Sequence, residues 1–325
     1  MQPRDPNAAT LAAMTMLAIL LHLTPARTFA EPTYAERLGW PPGARVVIFH
    51  VDDAGMCHDA NVGTIEALEN GVATSTSIMF PCPWVSEIAQ YVKDHPDVDA
   101  GVHVTLNAEW GNYRWGPVAG KPAVPGLVDE EGCLYSAITK VMFRATPDEV
   151  ETEIRAQLDR CRTLGIEPTH LDTHMGTVFA TFPFLERYVK VGIETGIPVM
   201  LPAGHATHIA KAVPILGEPV REIAQKAWDA GLPVLDDLCI TASGPKEKKT
   251  EVIQFLRTLE PGICQFIVHC TRPSETFSHI SSSGATRLAE LEAMLDPDVK
   301  KVIEEEGIIL TTWRELKQRR DKVIE

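Results

Sequence analysis

Apolar and polar residues alternate along this chain in blocks that switch between a strand period and a helix period. Short runs rich in β-branched residues predict strands, and the stretches between them repeat apolar positions every three or four residues, as amphipathic helices do. Strands are predicted at 45–52, 73–80, 99–107, 168–175, 197–202, 232–240, 263–270 and 308–313, and helices at 60–70, 83–93, 147–164, 183–195, 218–230, 246–259 and 285–306.

Repeated strand–helix units favour a parallel sheet, and seven or eight of them in one chain favour a sheet closed into a barrel. We therefore predict an α/β fold, a distorted barrel of seven to eight parallel strands with outer helices. With 325 residues and 45% apolar content, the chain is large enough to bury such a core.

The first thirty residues do not follow this pattern. A short polar start precedes an apolar run over about residues 8–23, and Thr28-Phe29-Ala30 has the small residues of a cleavage site. We predict a secretory signal peptide over residues 1–30, export to the periplasm or the medium, and a single domain over residues 31–325. The alternative is an uncleaved membrane anchor, although the apolar run is short for a membrane span.

Charge and cysteine usage narrow the function classes. The net charge of −14 argues against nucleic acid as a partner, because neutralising phosphates requires clustered Lys and Arg. The seven cysteines form no CxxC pair, which argues against a zinc ribbon or a redox motif. The usual zincin, serine-hydrolase and nucleotide-binding motifs are also missing from the sequence.

Polar residues late in the predicted strands carry the candidate chemistry. In a barrel of parallel strands, catalytic groups lie at the carboxyl ends of the strands. Three of the candidates alternate along strand four and therefore share one face, where polar groups are costly unless they bind something. The candidates are Asp52, Asp53, His103, His170, Asp172, His174 and His269.

Each candidate also has a purely structural interpretation. A single histidine near a strand end is often a hydrogen-bonded core residue, and an Asp pair before glycine often caps a helix. Their convergence favours chemistry, since two imidazoles and a carboxylate from separate strand ends suit a divalent metal with open positions. A neighbouring carboxylate is then placed to take a proton from water.

The motifs VDDAG, NGVATSTSIM, GVHVTL and PTHLDTHMG, followed by a late strand histidine, resemble those of the YdjC-type (ChbG/HpnK) carbohydrate deacetylases. The resemblance extends from about residue 45 to residue 313. It implies a distorted barrel and a divalent metal ion, Zn or Mg, bound by Asp53, His103 and His174. By the same resemblance Asp52 is the general base.

The reaction that this resemblance implies is removal of N-acetyl groups from amino-sugar oligosaccharides by metal-activated water. His269 is then the candidate acid for the leaving amine. The motif around His269 departs from the usual pattern, because Cys270 follows where many members have Pro-Gly, and this leaves the acid and the sugar open.

Further residues are candidates for supporting roles. His50, His170 and Asp172 would orient the metal ligands from outside. Trp110 and Trp115 lie in the long irregular stretch 108–146, where they would either stack on a sugar or anchor the loop.

Two other functions remain open from the sequence. The same barrel could serve a secreted sugar-binding protein without turnover, or a metal hydrolase of another ester or phosphoester bond. Asp52 discriminates against the first alternative, because a binding protein does not need a base beside a metal site.

Overall fold

A computed structural model describes residues 31–209, 218–240 and 242–324. The predicted signal peptide over residues 1–30 lies outside the described residues, so this segment and the export inferred from it stay predictions. Within the described ranges, every helix is too short or too polar to traverse a bilayer.

The described chain alternates parallel strands with helices, as predicted. The strands are β1 (Arg45–Ala54), β2 (Ser75–Ile78), β3 (Ala100–Val104), β4 (Leu171–Thr173), β5 (Asp237–Ile240), β6 (Gly262–Val268) and β7 (Ile309–Leu310). The helices are α1 (Tyr34–Arg37), α2 (His58–Asn70), α3 (Val85–Asp94), α4 (Ile138–Arg144), α5 (Pro147–Thr163), α6 (Phe182–Thr195), α7 (Glu218–Asp229), α8 (Lys248–Thr258), α9 (Gly284–Leu295), α10 (Pro297–Glu305) and α11 (Trp313–Ile324).

The strands form one parallel sheet in the order β4-β3-β2-β1-β6-β5, and β7 pairs with β1. The sheet curls into a half-barrel surrounded by helices. Between its edge strands runs the segment 197–202, in which Val199 bridges Leu171 and Pro202 bridges Leu235. The architecture confirms the predicted distorted barrel.

The predicted strand at 197–202 is reduced to these two isolated bridges. Pro198 and Pro202 have no N–H to donate, so a continuous ladder cannot form there. The predicted helix 285–306 divides into α9 and α10, because Asp296 accepts the N–H of Asp298 at 2.8 Å and Pro297 starts a new helix.

Strand β1 shows how the sequence builds a polar site on an apolar sheet. Val47, Phe49 and Val51 belong to the core that packs beneath α8, α9 and α10. On the alternating positions, Val46 and Ile48 are followed by His50 and Asp52. This face therefore changes from apolar to polar towards the carboxyl end of the strand.

Candidate active site

Asp52 and Asp53 are adjacent in sequence, yet both carboxylates face the same site. Neighbouring residues of a regular strand point to opposite faces. Here the pairing with β2 shifts, because β1 advances from Val51 to Ala54 while β2 advances only from Thr76 to Ile78. This bulge, with Asp53 in the left-handed region at a φ of 67°, turns the second carboxylate back into the site.

Asp53, His103 and His174 bring their ligand atoms together at the carboxyl ends of β1, β3 and β4. Asp53 Oδ1 lies 3.3 Å from His103 Nε2 and 3.1 Å from His174 Nδ1. All three ligand atoms lie within 4.8 Å of one another, and all three residues are buried. Ligands bound at about 2.0–2.2 Å from one ion have such mutual distances, so this donor set fits a divalent metal.

Asp53 and His174 each stabilise the charged form of the other. Burial would raise the pKa of Asp53, but Arg287 and His174 hold it well below its usual range. Burial likewise opposes protonation of His174, yet the Asp53 carboxylate raises its pKa to about 9. Asp53 is therefore ionised at neutral pH, as a metal ligand must be.

Asp172 lies behind the triad formed by Asp53, His103 and His174, and it holds the imidazole of His103 in place. Its Oδ1 is 2.8 Å from His103 Nδ1, while Oδ2 accepts from Ser77 Oγ at 2.8 Å and lies 3.0 Å from His50 Nε2. A carboxylate on Nδ1 leaves the opposite nitrogen, Nε2, to face Asp53. The structure therefore brings His50 and Asp172 together beside His103, and their role in orienting a metal ligand stays a prediction.

His170, the third predicted supporting residue, adjoins His50 and Asp172. Its ring stacks on Trp313 at 5.3 Å between centroids, and its Nδ1 is 3.0 Å from Thr169 Oγ1. Burial lowers the pKa of His170 well below its usual value, so the ring is neutral. Its ring lies 5.0 Å from the His50 ring, between centroids, and one of its ring nitrogens lies within 4.8 Å of ligand atoms of both His50 and Asp172.

Of the two neighbouring aspartates, Asp52 is the one whose carboxylate remains available for proton transfer. Its Oδ1 accepts no hydrogen bond from the described residues, although His50 Nε2 lies 3.3 Å away and has Asp172 as a closer partner. Burial raises the pKa of Asp52 to about 6, against the opposing charge of His103. A carboxylate with this pKa suits a general base near neutral pH.

His269 follows β6, the strand that pairs with β1, and its Nε2 lies 4.0 Å from Asp52 Oδ2. Burial lowers its pKa, but the hydrogen bond with Glu290 reverses this and raises the pKa above its usual value. Glu290 also accepts the N–H of His269 at 2.7 Å, and Lys248 lies 3.3 Å from its other oxygen.

The sequence reasoning missed Glu109, Arg287 and Glu290. Glu109, in the loop after β3, lies 3.0 Å from His174 Nε2. Arg287 and Glu290, on α9, occupy the same helical face as Leu291 and are likewise buried. Charged residues at i and i+3 within an otherwise apolar helical stripe were the available signal.

The candidate groups line a cavity of about 660 Å³ with a largely apolar wall. Trp110 lines it and lies 6.3 Å from the His174 ring, between centroids. Trp115 is only 4% exposed and does not line the cavity, although its ring lies 5.4 Å from the Trp110 ring and 6.4 Å from the His174 ring, between centroids. Its burial favours the loop-anchoring alternative for Trp115 and leaves Trp110 as the candidate for contact with a sugar.

Comparison with known proteins shows the family to which the chain belongs and the proteins to which it is similar. A family model described as "YdjC-like protein" matches residues 46–305. Proteins named carbohydrate deacetylase are similar to it. That of Thermoanaerobacter pseudethanolicus is 28% identical, with 84% of this chain and 100% of that protein covered. That of Geobacillus stearothermophilus is 27% identical, with 83% and 98% covered.

Among solved structures, a protein from Enterococcus faecalis V583 described as a candidate for cellobiose-phosphate cleavage has a similar fold. The TM-score is 0.72 at 22% identity, and the match covers 84% of this chain and 99% of that one. At this identity the likeness bears on the fold alone.

Proposed function

Because the chain belongs to the YdjC-like family, we propose that it is a metal-dependent deacetylase that hydrolyses the N-acetyl groups of amino-sugar oligosaccharides. The observation that carries this proposal is the convergence of Asp53, His103 and His174 beside a second, separately held carboxylate, Asp52. Relatives named carbohydrate deacetylase, matched over nearly their full length, support the reaction class.

Asp53 Oδ1, His103 Nε2 and His174 Nδ1 would hold the ion. Three protein ligands are the number typical of a catalytic site, which keeps positions open for water and substrate. When bound, the ion would supply Lewis acidity that polarises the acetyl carbonyl and acidifies water. The two imidazoles suit Zn²⁺ better than Mg²⁺, which prefers oxygen ligands.

Asp52 would accept the proton of the attacking water. It is buried beside the triad, and its Oδ2 lies 3.9 Å from His103 Nε2. The pKa of about 6 means that most Asp52 carboxylates are ionised at pH 7, while the group remains basic enough to bind the proton as the water attacks.

His269 would then donate a proton to the leaving amine. Its side chain lines the cavity, and Glu290 holds its Nδ1 side at 3.5 Å, which leaves Nε2 towards the substrate space and Asp52. The raised pKa of His269 favours the protonated imidazole, the form that a general acid requires. Base and acid therefore approach the scissile bond from two separate strands.

The test compares the same substitution at two neighbouring residues. Asp52→Asn keeps the shape and removes the proton acceptor, so we expect metal content near wild type and turnover reduced by roughly 10²–10⁴. Asp53→Asn replaces an anionic ligand by a neutral one and should weaken metal retention. Metal content of the purified protein and acetate release from N-acetylated chito-oligosaccharides are measured for both.

The outcomes separate the competing functions. Loss of metal in Asp52→Asn with retention in Asp53→Asn would mean that the two roles are exchanged. Deacetylation untouched in both variants would refute the mechanism. A metal-loaded wild type that binds the oligosaccharides but releases no acetate would instead identify a sugar-binding protein.

A further inference from the structure

Arg287 is a buried arginine, 8% exposed, that reaches from α9 to the edge of the proposed metal site. Its Nη2 donates to Asp53 Oδ2 at 2.6 Å, and its Nε donates to Ser283 Oγ at 3.0 Å. Two nitrogens of the planar guanidinium are thus held at once, which fixes its orientation. The contact with Asp53 is charge-assisted and therefore strong.

The two oxygens of Asp53 consequently have different surroundings. Oδ1 faces the nitrogens of His103 and His174, at 3.3 and 3.1 Å. Oδ2 points away to Arg287. A carboxylate binds divalent ions through one oxygen or through both, and the choice determines how many positions remain for other ligands.

We propose that Arg287 is a positioning residue that restricts Asp53 to coordinating the metal through Oδ1 alone. Its N–H occupies Oδ2, so the position that a second carboxylate oxygen would fill stays open for water or the substrate carbonyl. The inference rests on the proposed function, because it presupposes that Asp53, His103 and His174 bind a metal.

The charge of Arg287 has a second effect on the same ion. It compensates the Asp53 carboxylate before metal arrives, so the metal-free site is stabilised more than the loaded one. Removing the Arg287 cation takes from the buried Asp53 carboxylate its largest compensating charge, a costly change that a bound metal relieves. Arg287 therefore weakens metal binding while leaving more positive charge on the bound ion.

The test removes the contact between Arg287 and Asp53 in two ways. Arg287→Met removes every donor, and Arg287→Gln removes the charge and keeps a donor only at the position of Nε, which faces Ser283. The probe is Co²⁺, whose affinity is measured by chelator competition and whose coordination number is read from its visible absorption. Arg320→Met is the matched control, since Arg320 is also buried and donates instead to the Trp228 carbonyl on α7.

We expect Arg287→Met to bind Co²⁺ roughly 10-fold more tightly, with a spectrum shifted towards higher coordination. Arg287→Gln should show the same two changes, because its amide is too short to reach Asp53 Oδ2, and Arg320→Met should match wild type in both affinity and spectrum. If Arg287→Met fails to fold, the affinity of Arg287→Gln still tests the charge effect. Weaker or unchanged Co²⁺ binding in the Arg287 variants, or an unchanged Arg287→Met spectrum, overturns the inference alone. A wild type without Co²⁺ binding overturns the proposed function as well.

Discussion

Replacing Asp172 by Asn tests whether the buried network behind the metal triad sets the tautomer of His103. Three side chains contact the Asp172 carboxylate. His103 Nδ1 and Ser77 Oγ lie at 2.8 Å, and His50 Nε2 lies at 3.0 Å. In Asp172→Asn one oxygen becomes an NH2 donor. If that donor faces Nδ1, the His103 proton moves to Nε2, the nitrogen that faces Asp53.

Two independent magnitudes agree for this change. Loss of one hydrogen bond to a charged group costs about 1.5–3 kcal/mol. Supporting residues around metal ligands typically contribute a factor of about 10–100 in metal affinity, which corresponds to about 1.4–2.8 kcal/mol. We therefore expect the dissociation constant for Zn²⁺ in Asp172→Asn to rise roughly 10- to 100-fold.

The assay is chelator competition at fixed pH, with thermal unfolding of the metal-free protein as the measure of stability. Asp99→Asn is the control, because Asp99 is equally buried but accepts the N–H groups of Trp313 and Arg314 at the opposite end of β3. It should lose stability and keep its metal affinity. A folded Asp172→Asn with an affinity within about twofold of wild type would refute the reasoning.

Two further predictions concern the acid and the cavity wall. The groups that face His269 are Glu290 and Arg287 from α9 and the two aspartates of β1. Glu290 raises the pKa of His269, and an acid must be protonated, so Glu290→Gln should move the alkaline limb of the kcat/KM profile to lower pH; an unmoved limb contradicts the assignment. Trp110→Ala should raise KM for the oligosaccharide several-fold with little change in thermal stability. Trp115→Ala should instead lower the free energy of unfolding by about 3–5 kcal/mol. A KM in Trp110→Ala equal to that of the wild type would contradict the sugar contact.

Much of the fold followed from local pattern, because each strand carries its own apolar run and each helix its own period. β6 was predicted at 263–270 and spans Gly262–Val268, and α5 was predicted at 147–164 and spans Pro147–Thr163. The strand predicted at 168–175 spans only Leu171–Thr173, because only three residues of the short strand β3 pair with it. Strand lengths depend on partners that a local pattern does not contain.

The site was predictable where side chains project from strand ends and unpredictable where the geometry depends on register. The bulge that turns both Asp52 and Asp53 inwards arises from the mismatch of β1 with β2. Arg287 was missed for a different reason, since its partner Asp53 is more than two hundred residues away in sequence. Long-range charge pairs leave only a faint local trace.

The left-handed backbone at Asp53 lowers the stability of the fold and at the same time positions a carboxylate in the site. A side chain at a φ of 67° costs roughly 1 kcal/mol that glycine would avoid. Selection for folding alone would therefore favour glycine here, and only selection for the ligand retains the acid. Two residues further on, the backbone is again left-handed, at a φ of 84°, and there the residue is glycine, Gly55. The strain at Asp53 is therefore a cost in folding free energy that follows from placing a carboxylate at this turn of the backbone.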